Sequence, residues 1–522
     1  MHRRIGQWAE AHLERVSEDA AWLAGHFEQG GDWLRAAKYL RLAAETAVRR
    51  YDYQQAGDFL RHALELLSKL PEASHAASER EILEKLAILY NASWHLPGMM
   101  SKYEELVARA ARSGLIDVEV CALIDMAFPI SFVNAPRCLE VVERAMQLSA
   151  RQADPVKRTK ARLRCLTARA WVAGWIPGVA EECRSAIEEI RRDGGRLELA
   201  LHLIDYAYVQ FISSEYREAH RSATESRSIL TEASGENLFA SIQDDRNVWN
   251  LIWSLTWLGQ WGEALRHLQA EFIREEKNEN RRRAMALQLD RALLHLHAHD
   301  FVSVASICES SLPFVRDWIP VLRRCQIPAG SADVALGNHQ RGLESLMTAR
   351  DAMDRQTVMS DWYQRMLLEL GLTELWLAKG DLAQAKSHAQ QLLELALATA
   401  EHTWQALAWE VNARVAMAEL DLTRAQNCIA KGLSAMEGFE VPLAAWRVHA
   451  TASEFYDRMG EQDSAAKHRE LSRATIMKLA DSLPAEEPLR KTFLSAPMIR
   501  KILGDSKIAV SRSKHAVRSA TA

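Results

Sequence analysis

Proline and glycine are scarce, at 13 and 23 of 522 residues. A β-rich chain of this length needs many more turn residues between its short strands, so the shortage points to helices. Cysteine is also sparse. Cys121, Cys138, Cys165, Cys183, Cys308, Cys325 and Cys428 are odd in number and no two form a CxxC. They read as small buried apolar residues in a reducing compartment, not as a disulfide framework or a metal site. No run of about 18 apolar residues is present, which excludes a membrane-spanning helix. The opening MHRRIGQWAEAHLERV is charged throughout and does not read as a signal peptide, so the expected location is cytoplasmic. Neither charge sign dominates: 65 Lys and Arg face 69 Asp and Glu. Bulk electrostatics therefore give no reason to expect nucleic acid or an anionic membrane as partner.

Catalytic signals are missing too. There is no GxxxxGK[ST] loop to cradle phosphates, no apolar strand ending in paired acids for Mg²⁺, and no Ser-His-Asp or Cys-His constellation. The chain reads as a non-enzyme without a cofactor.

What is present is a turn signal that recurs about every 40 residues. It stands in GDWLRAAKYL (31–40), YDYQQAGDFLRHAL (51–64), SEYREAHRSA (214–223), LGQWGEALRHL (258–268), GNHQRGLESL (337–346), KGDLAQAKSHA (379–389) and MGEQDSAAKHR (459–469). Each joins a small or polar turn to an aromatic or apolar residue and an Ala-rich amphipathic helix. One such unit cannot bury its apolar face alone, so the units must stack. Turns are expected near 53, 94, 133, 175, 215, 260, 300, 338, 380, 420 and 460, giving about ten helix pairs at this period. Pro97-Gly98, Pro129 and Pro136 mark a bend or widened loop. Pro313, Pro320, Pro328 and Gly330 mark a second irregular zone over 310–332. Segments 232–245 and 275–284 read as loops or helix ends.

Leu258-Gly259-x-Trp261-x-x-Ala264 matches the middle of the tetratricopeptide signature. On that basis the chain resembles tetratricopeptide-like superhelices, and the expected fold is all-α: a right-handed α-solenoid of helical hairpins. Three blocks, 21–67, 441–469 and 479–497, resemble the region that follows the ATPase module in bacterial AAA/STAND-type signalling ATPases linked to adenylate cyclase or transcriptional-activator domains. The resemblance implies a sensor arm in signalling or transcriptional regulation. Its partner would be a protein or peptide, including a signalling ATPase encoded nearby, and its ligand an inducer. Met1 falls where that module would end, so the expectation is a split or truncated arm. The expected divisions are N-terminal helices over 1–30, a superhelix over 31–478, a C-terminal cap over 479–505 and a disordered basic tail over 506–522.

Trp249, Trp253, Trp257 and Trp261 are spaced by four and form a slowly drifting stripe on one helix. Such a stripe can be a ligand wall or partner hot spot, although inter-repeat core is the commoner use. Arg281, Arg282 and Arg283 can grip an anion, or form a solvated face. His295, His297 and His299 with Asp300 give a weak metal signal: His295 and His299 share a helical face, but a third ligand and a Glu base are missing.

Overall fold

The computed structural model describes residues 1–12, 18–50, 52–71, 74–93, 99–233 and 238–504. The expected turn at 94 with Pro97-Gly98, part of the 232–245 segment and the tail over 506–522 lie outside these residues.

Twenty-six helices follow one another, and no strand occurs among the described residues. They are α1 His2–His12, α2 Ala20–Gln29, α3 Trp33–Arg49, α4 Tyr53–Leu67, α5 Ala76–Ser93, α6 Met99–Arg112, α7 Ile116–Ser131, α8 Ala135–Ser149 and α9 Pro155–Ala173. Next come α10 Val179–Asp193, α11 Arg196–Ile212, α12 Tyr216–Ala233, α13 Leu238–Trp257, α14 Trp261–Lys277, α15 Arg281–His297, α16 Phe301–Val315, α17 Ile319–Ala335 and α18 His339–Arg355. The last are α19 Asp361–Lys379, α20 Leu382–Leu397, α21 His402–Ala418, α22 Leu422–Ala435, α23 Pro442–Met459, α24 Gln462–Asp481, α25 Pro488–Ser495 and α26 Pro497–Leu503. Consecutive helices pack against each other, as expected for an α-solenoid of tetratricopeptide-like hairpins.

The recurrent turn has a simple backbone basis. One residue takes the left-handed region, and the next caps the following helix. Gly31, Gly337, Gly380 and Gly460 lie at φ between 71° and 85°. Ser214, His299 and Leu420 take the same conformation at φ 57° to 61° without being glycine. Asp32, Asp300, Asp381 and Asp421 then accept a hydrogen bond from the backbone N–H three residues on, satisfying one orphan donor of the new helix.

From α7 onward the two helices of each hairpin differ in burial. The second is one-sided: α22 buries Ala425, Cys428, Ile429 and Gly432, the i, i+3, i+4, i+7 stripe of a surface helix. The first is enclosed: α11 buries Leu199, Ala200 and every residue from His202 to Ile212.

The first helices are enclosed because the superhelix winds tightly enough for its successive turns to touch. The loop between α18 and α19 lies on the α7–α8 turn and the end of α9: Met359 N–H bonds Ser131 O at 2.7 Å, Ser360 N–H bonds Trp171 O at 2.8 Å, and Ala135 N–H bonds Thr357 O at 2.9 Å. The loop before α21 lies on the α11–α12 turn, where His402 N–H bonds Ser214 Oγ at 2.6 Å. The α13–α14 turn meets the end of α24, where Trp261 N–H bonds Ser482 Oγ at 3.1 Å.

The irregular zone expected over 310–332 is corrected. Pro313 sits inside α16, and α17 runs unbroken through Pro328 and Gly330. Gly330 serves packing: a Cβ there would come within 2.8 Å of Leu346 on α18. Likewise Pro129 lies within α7 near its end, and Pro136 in the first turn of α8, where its missing N–H costs nothing.

Candidate functional site

The expected stripe on one helix is corrected: Trp249, Trp253 and Trp257 lie on α13, where the two superhelical turns meet, and Trp261 opens α14 after the turn. Trp249 and Trp253 have ring centroids 4.1 Å apart, and Trp253 stacks on Trp257 at 5.3 Å with planes 7° apart. Phe211 from α11 lies 5.7 Å from Trp253, Tyr363 from α19 lies 5.8 Å from it, and Trp404 from α21 lies 6.0 Å from Tyr363. Burial pushes the Tyr363 hydroxyl pKa well up. The interior here is filled by rings.

The four tryptophans do not share one environment. Trp257 is 1% exposed and lies within the packed cluster. Trp261 is fully buried at the far end, edge-on to Phe493 of the C-terminal cap at 5.0 Å. In this arrangement neither offers surface to a partner. Trp249 and Trp253 line a cavity of about 190 Å³.

That cavity draws its walls from both turns. The first turn supplies Phe128, Trp171, Tyr208, Trp249 and Trp253, and the later hairpins supply Trp318, Met359, Ser360 and Gln364. Its charges are paired within the protein. Arg246 binds Asp205 at 2.7 Å and lies 5.0 Å from the Phe128 ring centre and 5.3 Å from that of Trp171, positions of cation–π attraction. Asp290 accepts the Trp253 indole N–H at 2.9 Å and pairs with Arg324 at 3.2 Å. Burial raises the Asp290 pKa, and the Arg324 charge and the indole hydrogen bond oppose the rise.

Two amides in the wall are incompletely used. Gln364 is 5% exposed, and its side chain makes no hydrogen bond within the protein. Asn250 donates to Ile204 O at 2.9 Å, while its Oδ1 is buried without a partner. Buried polar groups in native proteins are normally satisfied, so such a pair beside open space marks where a ligand or water binds. The arrangement suits recognition of a planar group between rings, with its polar edge on the amides.

The arginine triplet is divided among separate tasks. Arg281 lies over the Phe314 ring at 5.0 Å, Arg282 pairs with Asp317 at 3.1 Å and lies over Trp318, and Arg283 approaches Glu275 at 3.5 Å and reaches the cavity wall. The histidines part company because α15 ends at His297 and His299 turns left-handed at φ 57°. His295 bonds Asp300 at 2.9 Å, while His297 and His299 line a second cavity. The shared face expected of His295 and His299 is therefore absent. Among the described residues no three metal-ligating side chains come together. None of those helices is long and apolar enough to cross a membrane.

Sequence reasoning missed Gln364, Asn250, Asp205 and Asp290. No local motif could have shown them, because they stand on four different helices, α11, α13, α15 and α19, that come together only in the folded chain.

No family model and no curated protein matches the chain. Among solved structures it is similar to a Rap protein complexed with competence and sporulation factor, at 12% identity and TM-score 0.52, over 70% of this chain and 99% of that one. It superimposes more loosely on the APC/C hetero-tetramer Cut9-Hcn1, at 14% identity and TM-score 0.37, over 94% of this chain and 90% of that one. At such identity the likeness speaks to fold alone: the chain has a tetratricopeptide-like helical-repeat fold.

Proposed function

We propose that the chain is a non-catalytic sensor scaffold of a bacterial signalling or transcription-regulatory system. A planar, uncharged ligand held in the aromatic cavity fastens one superhelical turn to the next, and a protein partner reads the resulting shape. The carrying observation is that Trp249 and Asn250 on α13 and Ser360 and Gln364 beside and on α19 line one space. A ligand touching both sides binds only the closed form, and so shifts the population toward it. The one-sided second helices leave an outer face free for the partner, and the resemblance in the sequence suggests a signalling ATPase as that partner. The similar Rap protein is complexed with competence and sporulation factor, which accords with a scaffold reading.

The test is a thermal-shift titration with uncharged heteroaromatics, indole and adenine first, on the wild type and on Asn250→Leu and Gln364→Leu. Stabilisation of the wild type that either variant weakens at least tenfold in apparent affinity supports the reading. Equal stabilisation of all three proteins, or none across the panel, overturns it. ATP turnover by the purified chain would instead favour the reading in which the chain is part of an ATP-dependent enzyme.

A further inference from the structure

The larger cavity, about 430 Å³, lies on the other side of the tryptophan stack. His297 packs edge-on to Trp257 at 5.1 Å, so the row Trp253–Trp257–His297 is the partition between the two spaces. The chemistry of the two is different. The apolar walls of the second are mainly aliphatic, with Leu296, Leu367, Leu370, Leu407, Leu443 and Met498 beside Phe301 and Trp446.

Its permanent charges are already used. Arg414 and Arg447 both bind Glu374, at 2.9 Å for one Arg414 contact and 2.8 Å for Arg447, and Arg447 also reaches Glu410 at 3.4 Å. Burial would raise the Glu374 pKa, but the two guanidinium groups outweigh it and hold the pKa at about 2. Two arginines and two glutamates thus form a neutral network. A charged ligand would have to break it.

Outside that network the polar side chains lining the space are His297, His299, Ser331 and His339, and two of them hold a buried atom without a partner. The His297 imidazole is enclosed, its Nε2 has no partner, and burial together with the nearby Arg447 and His299 lowers its pKa to about 3, so the ring is neutral. Ser331 Oγ on α17 is likewise buried without a partner. A neutral imidazole and a hydroxyl can each donate or accept, which is what one ligand hydroxyl or carbonyl needs. The mouth of the space lies at Ala335 and Ala378, both exposed at the ends of their helices.

We infer that this cavity is a binding site for an uncharged amphiphile, with its alkyl chain among the leucines and its hydroxyl or carbonyl head between His297 and Ser331. The site is separate from the aromatic cavity, and its probe is different, so either reading can fail while the other stands.

The experiment is isothermal titration of the full chain with 1-hexanol, 1-octanol, octanoate and octylamine, with thermal shift alongside. The expected result is saturable binding of the alcohols that tightens about fourfold per added methylene, as burial of each CH₂ predicts, with octanoate and octylammonium at least tenfold weaker than 1-octanol. Ala335→Phe and Ala378→Phe, exposed positions at which folding is not at stake, should block the mouth and abolish 1-octanol binding. His297→Phe keeps a ring against Trp257 but removes the head contact, and should weaken 1-octanol at least tenfold. Ser331→Ala serves the same end if that variant fails to fold. Octanoate binding as tightly as 1-octanol, 1-octanol binding unchanged by both mouth variants, or no saturable binding of any alcohol would each overturn the assignment.

Discussion

Trp253 and Trp257 stack with centroids 5.3 Å apart, but their outer faces meet different surroundings: Trp253 borders the aromatic cavity, and Trp257 meets His297. Trp257 is 1% exposed, while Trp249 at the head of the row is only partly buried. Trp257→Ala should therefore open a hole in the centre of the molecule and cost about 3–5 kcal/mol. Trp249→Ala should cost clearly less and act mainly on ligand binding. Urea unfolding followed by circular dichroism compares them. Equal losses in the two variants would mean that the stack is not a division between core and cavity wall.

The C-terminal cap is fastened to a hairpin far from it in sequence. A Cβ at Gly262 would lie 2.2 Å from the Ser482 carbonyl oxygen, and one at Gly259, already left-handed at φ 72°, 2.3 Å from Leu479 Cδ2. Backbone on one side of the first contact leaves no flexible atom to yield. Gly262→Ala should push α25 and α26 away and destabilise by about 1–3 kcal/mol, as overpacking does. Limited proteolysis should then cut near 482–488 faster than in the wild type. An unchanged digestion pattern would show that the cap does not depend on this approach.

The same motif shows how far the sequence could be read. LGQWG displayed its turn and its helix start, because a hairpin period is a local signal. The glycines in fact admit the cap, more than 200 residues away in the chain, as the Trp261–Ser482 bond shows at a separation of 221. The cavity was hidden for the same reason. Trp249 and Trp253 were visible as a stripe, but Gln364 sits in DWYQRMLLEL, a segment without a motif that α19 buries on nearly every side. Pro328 misled in the opposite way: proline normally argues for a break, yet in α17 tertiary packing around Gly330 and Leu346 outweighs the local preference.

Glu401 should make the contact between superhelical turns sensitive to pH. It is fully buried, bonds the Tyr216 hydroxyl, and caps α21 by accepting the Trp404 N–H at 2.8 Å. Burial raises its pKa from 4.5 to about 8, against the pull of the Trp404 N–H and Ser214. The folded form thus holds a proton that the unfolded chain gives up above the ordinary carboxylate range. Its contribution is fully present below pH 4.5, declines by up to about 1.4 kcal/mol per pH unit above that, and is lost once the pH passes about 8. Glu401→Gln is neutral at every pH and should flatten this part of the profile. Urea unfolding at pH 5.5, 7 and 8.5 measures it, and equal slopes in variant and wild type would assign the pH dependence elsewhere.

Leu420 carries a strain that its neighbours in the repeat avoid. It stands in the left-handed turn position at φ 61°, and its side chain is 80% exposed, so packing returns little for the conformation. The corresponding residue one hairpin earlier is Gly380 at φ 75°, and one hairpin later Gly460 at φ 77°. A left-handed conformation costs an L-residue roughly 1–2 kcal/mol, and glycine removes that cost while adding freedom to the unfolded chain. Leu420→Gly should therefore gain a net 0.5–1 kcal/mol or so, with Asp421 still capping α22 through the Arg424 N–H. Gly380→Leu, the reverse exchange at the equivalent turn, should lose a similar amount. Unfolding midpoints of the two variants moving in the same direction would show that the turn conformation is not what distinguishes these positions.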